Sequence, residues 1–269
     1  MDILTHTLSG IAVGTVAASF SNNSFKKKLL IVVFAAFAGA LPDVDAISLW
    51  SHFDGILGKL FHLSHSGRDI YSAKFWYSHH AFMHSFMAAI LFGGIVVILK
   101  YLWTSQGRNL RLKSLVDAFR KDIVLFVAFV SAYTLHLLED MVTPAASWGG
   151  VNFFFPMASY TGGTGDIWWW NNYDVFLIVV GVILFNIVVL VSQRFVRFSA
   201  YKFTLTLFTL GFALALFQIH SRDIDYAYSG HCNNYQELEA YSKAQQKEIL
   251  GDKTFRFMVW FDGKLKVYF

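Results

Sequence analysis

The stretch 123-IVLFVAFVSAYTLHLLEDMV-142 is almost wholly apolar until its last third, where a histidine and two acids appear. A membrane-spanning helix needs about twenty predominantly apolar residues. His136 and Asp140 are four residues apart, so they share one helix face. Ionisable side chains inside a membrane are costly and usually functional. The stretch therefore predicts a spanning helix that ends in a polar site, the alternative being a buried polar pair between helices.

The composition of the chain indicates a polytopic membrane protein. Hydrophobic residues make up 55% and charged residues 15% of 269 residues, and the mean hydropathy is +0.46. A soluble domain has far more charge. No basic face interleaved with aromatic residues accompanies the net charge of +4, which argues against a nucleic-acid partner. The single Cys232 excludes an intramolecular disulfide and a cysteine-rich zinc site, and Asp2 and His6 argue against a cleavable signal peptide.

Six apolar runs predict an all-α polytopic membrane protein with about six transmembrane helices in a domain over residues 1–220. The runs are Thr7–Phe20, Leu29–Leu41, Ala81–Trp103, Ile123–Val142, Val175–Val191 and Phe203–Ile219. The first two are short and rich in small residues, which allow close helix packing. Runs of that length are also typical of buried or re-entrant segments.

Basic residues fall in alternate linkers. The three basic linkers contain Lys26, Lys27, Lys28, then Lys100, Arg108, Arg111, Lys113, Arg120, Lys121, then Arg194, Arg197 and Lys202. By the positive-inside rule these linkers are cytoplasmic. We therefore expect a multi-pass protein of the inner (plasma) membrane with both termini on the extracytoplasmic side.

The residues after the last run predict a small α+β extracytoplasmic domain over 221–269. The segment 235–250 has the pattern of a short amphipathic helix. The segment 255–269 alternates apolar and polar residues around Asp262-Gly263, which predicts a β-hairpin with a type I′ turn. Earlier in the chain, Trp168–Trp170 is either an interfacial tryptophan belt or a lid over a site.

Imidazoles and carboxylates from four segments are expected at one depth on the extracytoplasmic side. The candidate metal ligands are His6, Asp43, Asp45, His79, His84, His136 and Asp140, and the candidate catalytic residues are His80 and Glu139. These groups suit Zn²⁺, Mn²⁺ or Fe²⁺. Seven of them exceed the four ligands of a tetrahedral zinc site, so we expect either two ions or one ion with outer partners.

The spacing of the candidates leaves several arrangements open. His79 and His84 diverge by about 140° on a helix, so they converge only if the helix begins near His80. Asp43 and Asp45 lie on one side if the chain is extended, or they cap a helix that begins near Ala46. Glu139 is a ligand, a base or a solvated neighbour. The remaining histidines are expected to be interfacial or hydrogen-bonded, and they are His52, His62, His65, His220 and His231.

The order of these motifs resembles the YdjM-like family of membrane-bound, metal-dependent hydrolases. The resemblance covers about residues 1–160 and is carried by Thr5-His6, 41-LPDVD-45, 78-SHH-80 with His84-Ser85, and 136-HLLED-140 with Thr143, Gly150 and Pro156. It implies a metal-dependent hydrolase with His6, Asp43, Asp45, His79, His84, His136 and Asp140 as the site. Where the family usually has His-Arg, this chain has His79-His80. An arginine suits an anionic group, whereas His80 is a weaker, pH-dependent donor or a general acid.

Two functions are therefore open. The first is hydrolysis of an ester or phosphoester in a lipid or lipid-linked substrate, with one or two Zn or Mn ions and with His80 or Glu139 moving protons. The second is a divalent-metal transporter that uses the intramembrane His-x-x-x-Asp pair, although transporters bind near the midplane. A metal-binding structural or receptor protein is a third class. The sequence leaves the substrate and the oligomeric state open.

Overall fold

The computed structural model describes residues 1–21, 24–105, 111–193 and 195–265, and within these ranges the chain is helical, with isolated bridges but no strand. The α-helices of these ranges are α1 (Ile3–Ser19), α2 (Phe25–Ala40), α3 (Gly67–Ser72), α4 (Phe86–Ser105), α5 (Leu112–Lys121), α6 (Ile123–Met141), α7 (Tyr173–Ser192), α8 (Ala200–His220) and α9 (Tyr235–Asp262). Short 3₁₀ helices cover Pro42–Leu49 and Phe82–His84, and a π-helical turn covers Asp54–Gly58. All six apolar runs form helices, so the all-α membrane fold is confirmed.

The number of candidate membrane spans is four or five rather than six. Helices α4, α6, α7 and α8 are long and apolar enough to cross a bilayer. Helix α2 and the following 3₁₀ helix are bent by 45° and add a fifth span if the pair is one crossing. Helix α1 has only 17 residues and packs against α2, α6, α7 and α8. Its small residues therefore serve contacts inside the helix bundle.

Glycines bring α1 and α2 into backbone contact. A Cβ added to Gly10 would lie 2.4 Å from the carbonyl oxygen of Ala35, and one added to Gly39 would lie 2.3 Å from the carbonyl oxygen of His6. Small residues permit this approach between helices in a membrane. The contact fixes the first turn of α1 beside the last turn of α2.

The interior between α2, α4 and α6 is apolar and closely packed. Its buried members on α6 are Leu125, Ala128, Phe129, Ala132, Tyr133 and Leu137, and those on α2 are Ile31, Ala35 and Ala38. Ala88, Ala89 and Val96 of α4, with Val151 of the segment after α6, complete this core. The core lies beneath the last two turns of α6, which carry His136 and Asp140.

Basic residues from separate linkers meet at the opposite end of the bundle. Lys28, in the first turn of α2, donates to Gln193 at the end of α7 (3.4 Å). Lys100, near the end of α4, pairs with Asp122, just before α6. The candidate site residues lie at the other ends of α2, α4 and α6. The basic linkers and the candidate site residues thus lie at opposite ends of the bundle, as the topology prediction requires. Which end faces the cytoplasm stays a prediction.

The C-terminal hairpin prediction is wrong over the described residues. Helix α9 starts at Tyr235, as expected, breaks at Gly251 (φ +71°) and continues as helix to Asp262. Phe255, Met258 and Phe261 are three residues apart, so they share a helix face that packs on Tyr173 and Phe176 of α7. The alternation of apolar and polar residues favoured strands, but the contact of this face with α7 selects the helix. The last part of the predicted hairpin, 266–269, lies outside the described residues.

The loop between α6 and α7 is held over the bundle end that carries the candidate site. Backbone N–H groups of Gly163 and Ile167 donate to the carbonyls of Met141 (2.7 Å) and Val142 (3.2 Å) at the end of α6. At the other end of the loop, Nη2 of Arg222, after α8, donates to both carboxylate oxygens of Asp174 in the first turn of α7 (2.9 and 3.0 Å). The loop is therefore positioned by main-chain contacts with the site helices.

Candidate metal centre

Four of the predicted ligands converge at the end of the bundle. Asp43, His84, His136 and Asp140 each offer a ligand atom, and these atoms lie within 4.8 Å of one another. We call these residues the first donor group. Asp140 Oδ2 lies 3.1 Å from His136 Nε2 and 3.4 Å from His84 Nε2. The helical i, i+4 spacing that the sequence suggested brings His136 and Asp140 together as expected.

A second donor group shares one member with the first. His79, His80 and His84 also place ligand atoms within 4.8 Å of one another. His79 and His84 converge although the helix does not begin near His80, the condition that the sequence argument set; α4 begins at Phe86. His80 instead has φ +62°, and His84 ends a short 3₁₀ turn. This irregular backbone, rather than a helix face, turns all three imidazoles towards one another.

Asp43 and Asp45 follow the break at the end of α2. Pro42 has no backbone N–H, so it begins a new helical segment more readily than it continues an old one. The two acids lie in the first turn of the 3₁₀ helix that follows, so they are neither extended nor caps of a helix that begins near Ala46. Asp43 reaches the first donor group, with Oδ1 at 3.7 Å from both His84 Nε2 and His136 Nε2.

Asp45 holds two imidazoles through one carboxylate. His79 Nδ1 donates to Asp45 Oδ1 (2.6 Å), and His84 Nδ1 donates to Asp45 Oδ2 (3.1 Å). Asp45 belongs to neither donor group. A carboxylate that holds the far nitrogen of a ligating histidine fixes its orientation and raises its basicity. Asp45 is thus placed to orient His79 and His84. The sequence suggested it as a metal ligand, but it belongs to neither donor group.

We expect Asp45→Asn to weaken metal affinity by about 10- to 100-fold, the usual cost of losing an outer partner. The amide cannot accept from both imidazoles with the same strength as a carboxylate. Isothermal titration of metal-stripped protein with Zn²⁺ measures the change. Asp117→Asn, at an exposed carboxylate of α5, is the matched control, and equal affinities for the two variants would contradict the assigned role.

The Nδ1 atoms of all five clustered histidines are hydrogen-bonded to acceptors. His136 and His80 donate to the backbone carbonyls of Gly39 (2.7 Å) and Gly150 (3.0 Å). A carbonyl oxygen only accepts, so these Nδ1 atoms carry the proton and Nε2 keeps its lone pair. His79, His84 and His6 have carboxylates at the same position: Asp45, Asp45 and Glu139. In their neutral form, imidazoles fixed in this way present Nε2 as a metal ligand.

His6 and Glu139 form one side of the cluster. His6 Nδ1 lies 2.6 Å from Glu139 Oε2, and its Nε2 lies 3.1 Å from Asp140 Oδ1. The ring of His6 stacks on that of His136 at 3.7 Å. The α-amino group of Met1 lies 2.5 Å from the same Oδ1. His6 belongs to neither donor group among the described residues, and Glu139 contacts the cluster through His6.

The electrostatics of the cluster favour a bound cation. Burial lowers the pKa of His84, but Asp45, Asp140 and Asp43 outweigh that effect and hold it well above its usual value. Burial, with His79 and His84 nearby, holds the pKa of His80 well below its usual value despite Asp140. Buried carboxylates are costly unless a positive charge faces them. Since the donors are oxygen and imidazole nitrogen, the residues present fit a divalent ion of the Zn²⁺ or Mn²⁺ kind.

An aromatic cavity of about 370 Å³ lies over the cluster. Its floor includes Asp43, His79, His80 and Asp140, and its aromatic walls are Tyr71, Trp148, Trp169, Trp170, Tyr228 and Tyr235. We call this space the aromatic cavity. Its volume lies in the range of small-ligand sites. The cavity therefore gives a ligand access to both donor groups.

The tryptophan loop is part of this site. Trp168 is completely buried and packs against Tyr226 and Tyr235, which rules out a lipid-facing belt for that residue. Trp169 and Trp170 line the aromatic cavity. Of the two interpretations from the sequence, a tryptophan belt or a lid over a site, the position of Trp169 and Trp170 fits the second.

The structure adds residues that sequence reasoning missed. Tyr71 stacks on His79 at 4.6 Å, and Trp148 stacks on His80 at 4.4 Å. The carbonyls of Gly39 and Gly150 orient two imidazoles. Backbone acceptors carry no residue-type signal. Of the histidines expected to be interfacial or hydrogen-bonded, His231 lines the aromatic cavity.

Comparison with known proteins gives a family but no characterised relative. No curated protein and no solved structure matches the chain. The model of the family described as YdjM inner membrane protein matches residues 1–223. The match extends beyond the motif region and includes α7 and α8. Because it covers most of the chain, the chain belongs to the YdjM inner membrane protein family.

Proposed function

We propose that the protein is a membrane-bound, metal-dependent hydrolase that acts on an ester or phosphoester of a lipid or lipid-linked substrate. The observation that carries this proposal is the position of the two donor groups at the floor of the aromatic cavity, at one end of the helix bundle. A site at this level reaches the headgroup region of the bilayer. We place it on the extracytoplasmic side, since the basic linkers lie at the opposite end.

The first donor group would hold one ion. A second ion would be held by His79 and His80, because the single lone pair of His84 Nε2 binds only one ion at a time. A divalent ion in such a site supplies a Lewis acid and lowers the pKa of a bound water. Asp43, His84, His136 and Asp140 would bind the first ion, and their spacing would require little rearrangement. Asp45 and the carbonyl of Gly39 keep the rings of His84 and His136 in place.

His80 and Glu139 have distinct parts in this proposal. His80 lines the cavity with Nδ1 bound to Gly150, so its Nε2 is the atom that takes a proton or binds the second ion. If elemental analysis finds two bound ions per chain, His80 is a metal ligand. If it finds one, His80 is the acid-base group. Glu139 acts through His6, whose Nδ1 it holds.

The packed core argues against the transporter alternative. A transporter needs access to its ion from both sides of the membrane. Beneath His136, the described interior is closely packed, since Phe129, Ala132 and Tyr133 are each at most 1% exposed. The hydroxyl of Tyr133 donates to the backbone carbonyl of Met83. An ion that enters from the aromatic cavity would meet this core rather than a polar path.

We expect purified protein to contain bound metal and to release product from at least one member of a panel of phospholipids and isoprenoid phosphates. A chelator should abolish turnover, because the metal supplies the activated water. His136→Ala and Asp140→Ala should reduce turnover below detection. Mass spectrometry of products and elemental analysis of the protein are the measurements.

His220→Ala is the matched control, since this histidine of α8 is 59% exposed and pairs only loosely with Asp166 (3.5 Å). It should keep wild-type turnover. Turnover that survives both chelation and His136→Ala would contradict a metal-dependent enzyme. Proteoliposomes that accumulate Zn²⁺ or Mn²⁺ without any lipid product would establish the transporter instead.

A further inference from the structure

A second cavity lies among the membrane-spanning helices beside the cluster. It measures about 90 Å³, and the residues that line it include Ser9, Leu138, Glu139, Val179, Ala215 and Leu216. We call it the apolar cavity. Apart from Ser9 and Glu139, the side chains that line it are apolar. Helix α1 forms its back wall, and α6, α7 and α8 form its sides.

The apolar cavity adjoins the aromatic cavity. Glu139 lines the first and its chain neighbour Asp140 lines the second, while Met1 lines both. The carboxylate of Glu139 is bonded to His6, which in turn contacts Asp140. A molecule whose polar group lies at the donor groups would therefore have its next atoms at the mouth of the apolar cavity.

The apolar cavity also reaches the lipid-facing surface. Leu138 of α6 is 43% exposed, and Phe212 and Leu216 of α8 are 38% and 37% exposed. Both helices are candidate spans, so these surfaces face hydrocarbon. A lipid chain is therefore the molecule that can enter the apolar cavity from the membrane. By comparison with a cavity of about 150 Å³ that holds benzene, 90 Å³ holds roughly three or four carbons.

One polar atom in the apolar cavity lacks a partner. The Oγ of Ser9 is buried without a hydrogen-bond partner among the described residues, and Ser9 lies one turn after His6 on α1. A buried hydroxyl without a partner is costly. An acyl ester at the mouth of the cavity carries a carbonyl oxygen that would accept from this hydroxyl. An isoprenoid phosphate has no such group.

We propose that the apolar cavity binds the first carbons of an acyl chain of the substrate, with its ester carbonyl accepting from Ser9 Oγ. This inference rests on the proposed function and narrows its substrate to acyl-ester lipids. The polar headgroup then occupies the aromatic cavity, and the rest of the chain leaves between α6 and α8 into the bilayer.

Photo-crosslinking tests the proposal without relying on turnover. The full-length protein is placed in nanodiscs of phosphatidylethanolamine and phosphatidylglycerol. The probe is phosphatidylglycerol with a diazirine either close to the ester or at the end of the acyl chain. Labelled residues are mapped by mass spectrometry. We expect the ester-proximal probe, and not the terminal one, to label cavity residues such as Val179 and Ala215.

Ala215→Leu fills the cavity and should lower that labelling by about tenfold, equivalent to about 1.4 kcal/mol or nearly two buried methylenes. Val179→Phe fills it from α7 and serves if the first variant does not fold. Ala213→Leu is the matched control, because Ala213 is exposed on the same helix. It should leave the labelling unchanged. Equal labelling of Ala215→Leu and wild type would overturn the proposal, as would equal labelling by the two probes.

Competition separates an acyl ester from other chains. Unlabelled diacyl phosphatidylglycerol should displace the probe better than the diether analogue, which lacks the carbonyl, and Ser9→Ala should remove this difference. Equal competition by the two lipids in wild type would overturn the ester contact. If the probe labels the cavity as expected but the protein hydrolyses no lipid, only the proposed function is contradicted. If the protein hydrolyses lipid and Ala215→Leu leaves that turnover unchanged, only this inference is contradicted.

Discussion

Replacing His84 with alanine is expected to weaken metal binding by more than about 100-fold, because it removes a ligand and even an outer partner is worth 10- to 100-fold. The effect should be the largest of any single histidine. His84 belongs to both donor groups, and its ring contacts Asp45, Asp140 and His136. Elemental analysis after purification, followed by titration of stripped protein with Zn²⁺, measures the loss.

His52→Ala is the matched control, because His52 is exposed and lies outside both donor groups. It should keep the metal content and affinity of wild type. If His84→Ala retained wild-type stoichiometry, the two donor groups would not be the place where metal binds. The variant His79→Ala distinguishes the two donor groups, because it should weaken metal binding only at the second.

Replacing Gly39 with alanine is expected to lower the stability of the protein by about 1–3 kcal/mol through overpacking, which corresponds to a fall in melting temperature of roughly 2–12 °C for a chain of this size. The new Cβ would lie 2.3 Å from the carbonyl oxygen of His6. Since that atom is backbone, α1 and α2 must separate. The same shift moves the carbonyl that holds His136, so metal affinity should fall as well.

Gly181→Ala is the matched control, because an added Cβ at this position of α7 has nothing within 4 Å. It should be neutral or slightly stabilising, since alanine favours helix by about 1 kcal/mol over glycine. The melting temperature in detergent, read by size-exclusion chromatography after heating, compares the two. A Gly39→Ala protein as stable as wild type would mean that the close approach of α1 and α2 is not required.

The sequence specified the helices and much of the cluster because both follow local rules. Twenty apolar residues in a row need a helix in lipid, and the structure has α6 at Ile123–Met141. The i, i+4 spacing placed His136 and Asp140 on one face, and the alternate basic linkers placed the acids and imidazoles at a common end. Glu139, one residue away from Asp140, points elsewhere, towards His6 and the apolar cavity.

The remaining features depend on contacts that no local pattern encodes. His79 and His84 meet because the chain before Phe86 is irregular, with a left-handed residue at His80. Asp45 reaches two histidines from a 3₁₀ turn that follows a proline break. The tail is helical because Met258 finds a buried place against α7, whereas its alternation alone favoured strands. Each outcome was decided by tertiary packing over local propensity.

The packed core beneath His136 also has an energetic consequence for the cell. In the proposed hydrolysis, protons released at the cluster would leave through the aromatic cavity, because the side chains below, including Ala132 and Phe129, are apolar and buried. They would return to the compartment from which the water came. Turnover would then be electrically silent and would neither draw on nor dissipate the proton-motive force, so the enzyme would work equally well in an energised and a de-energised membrane.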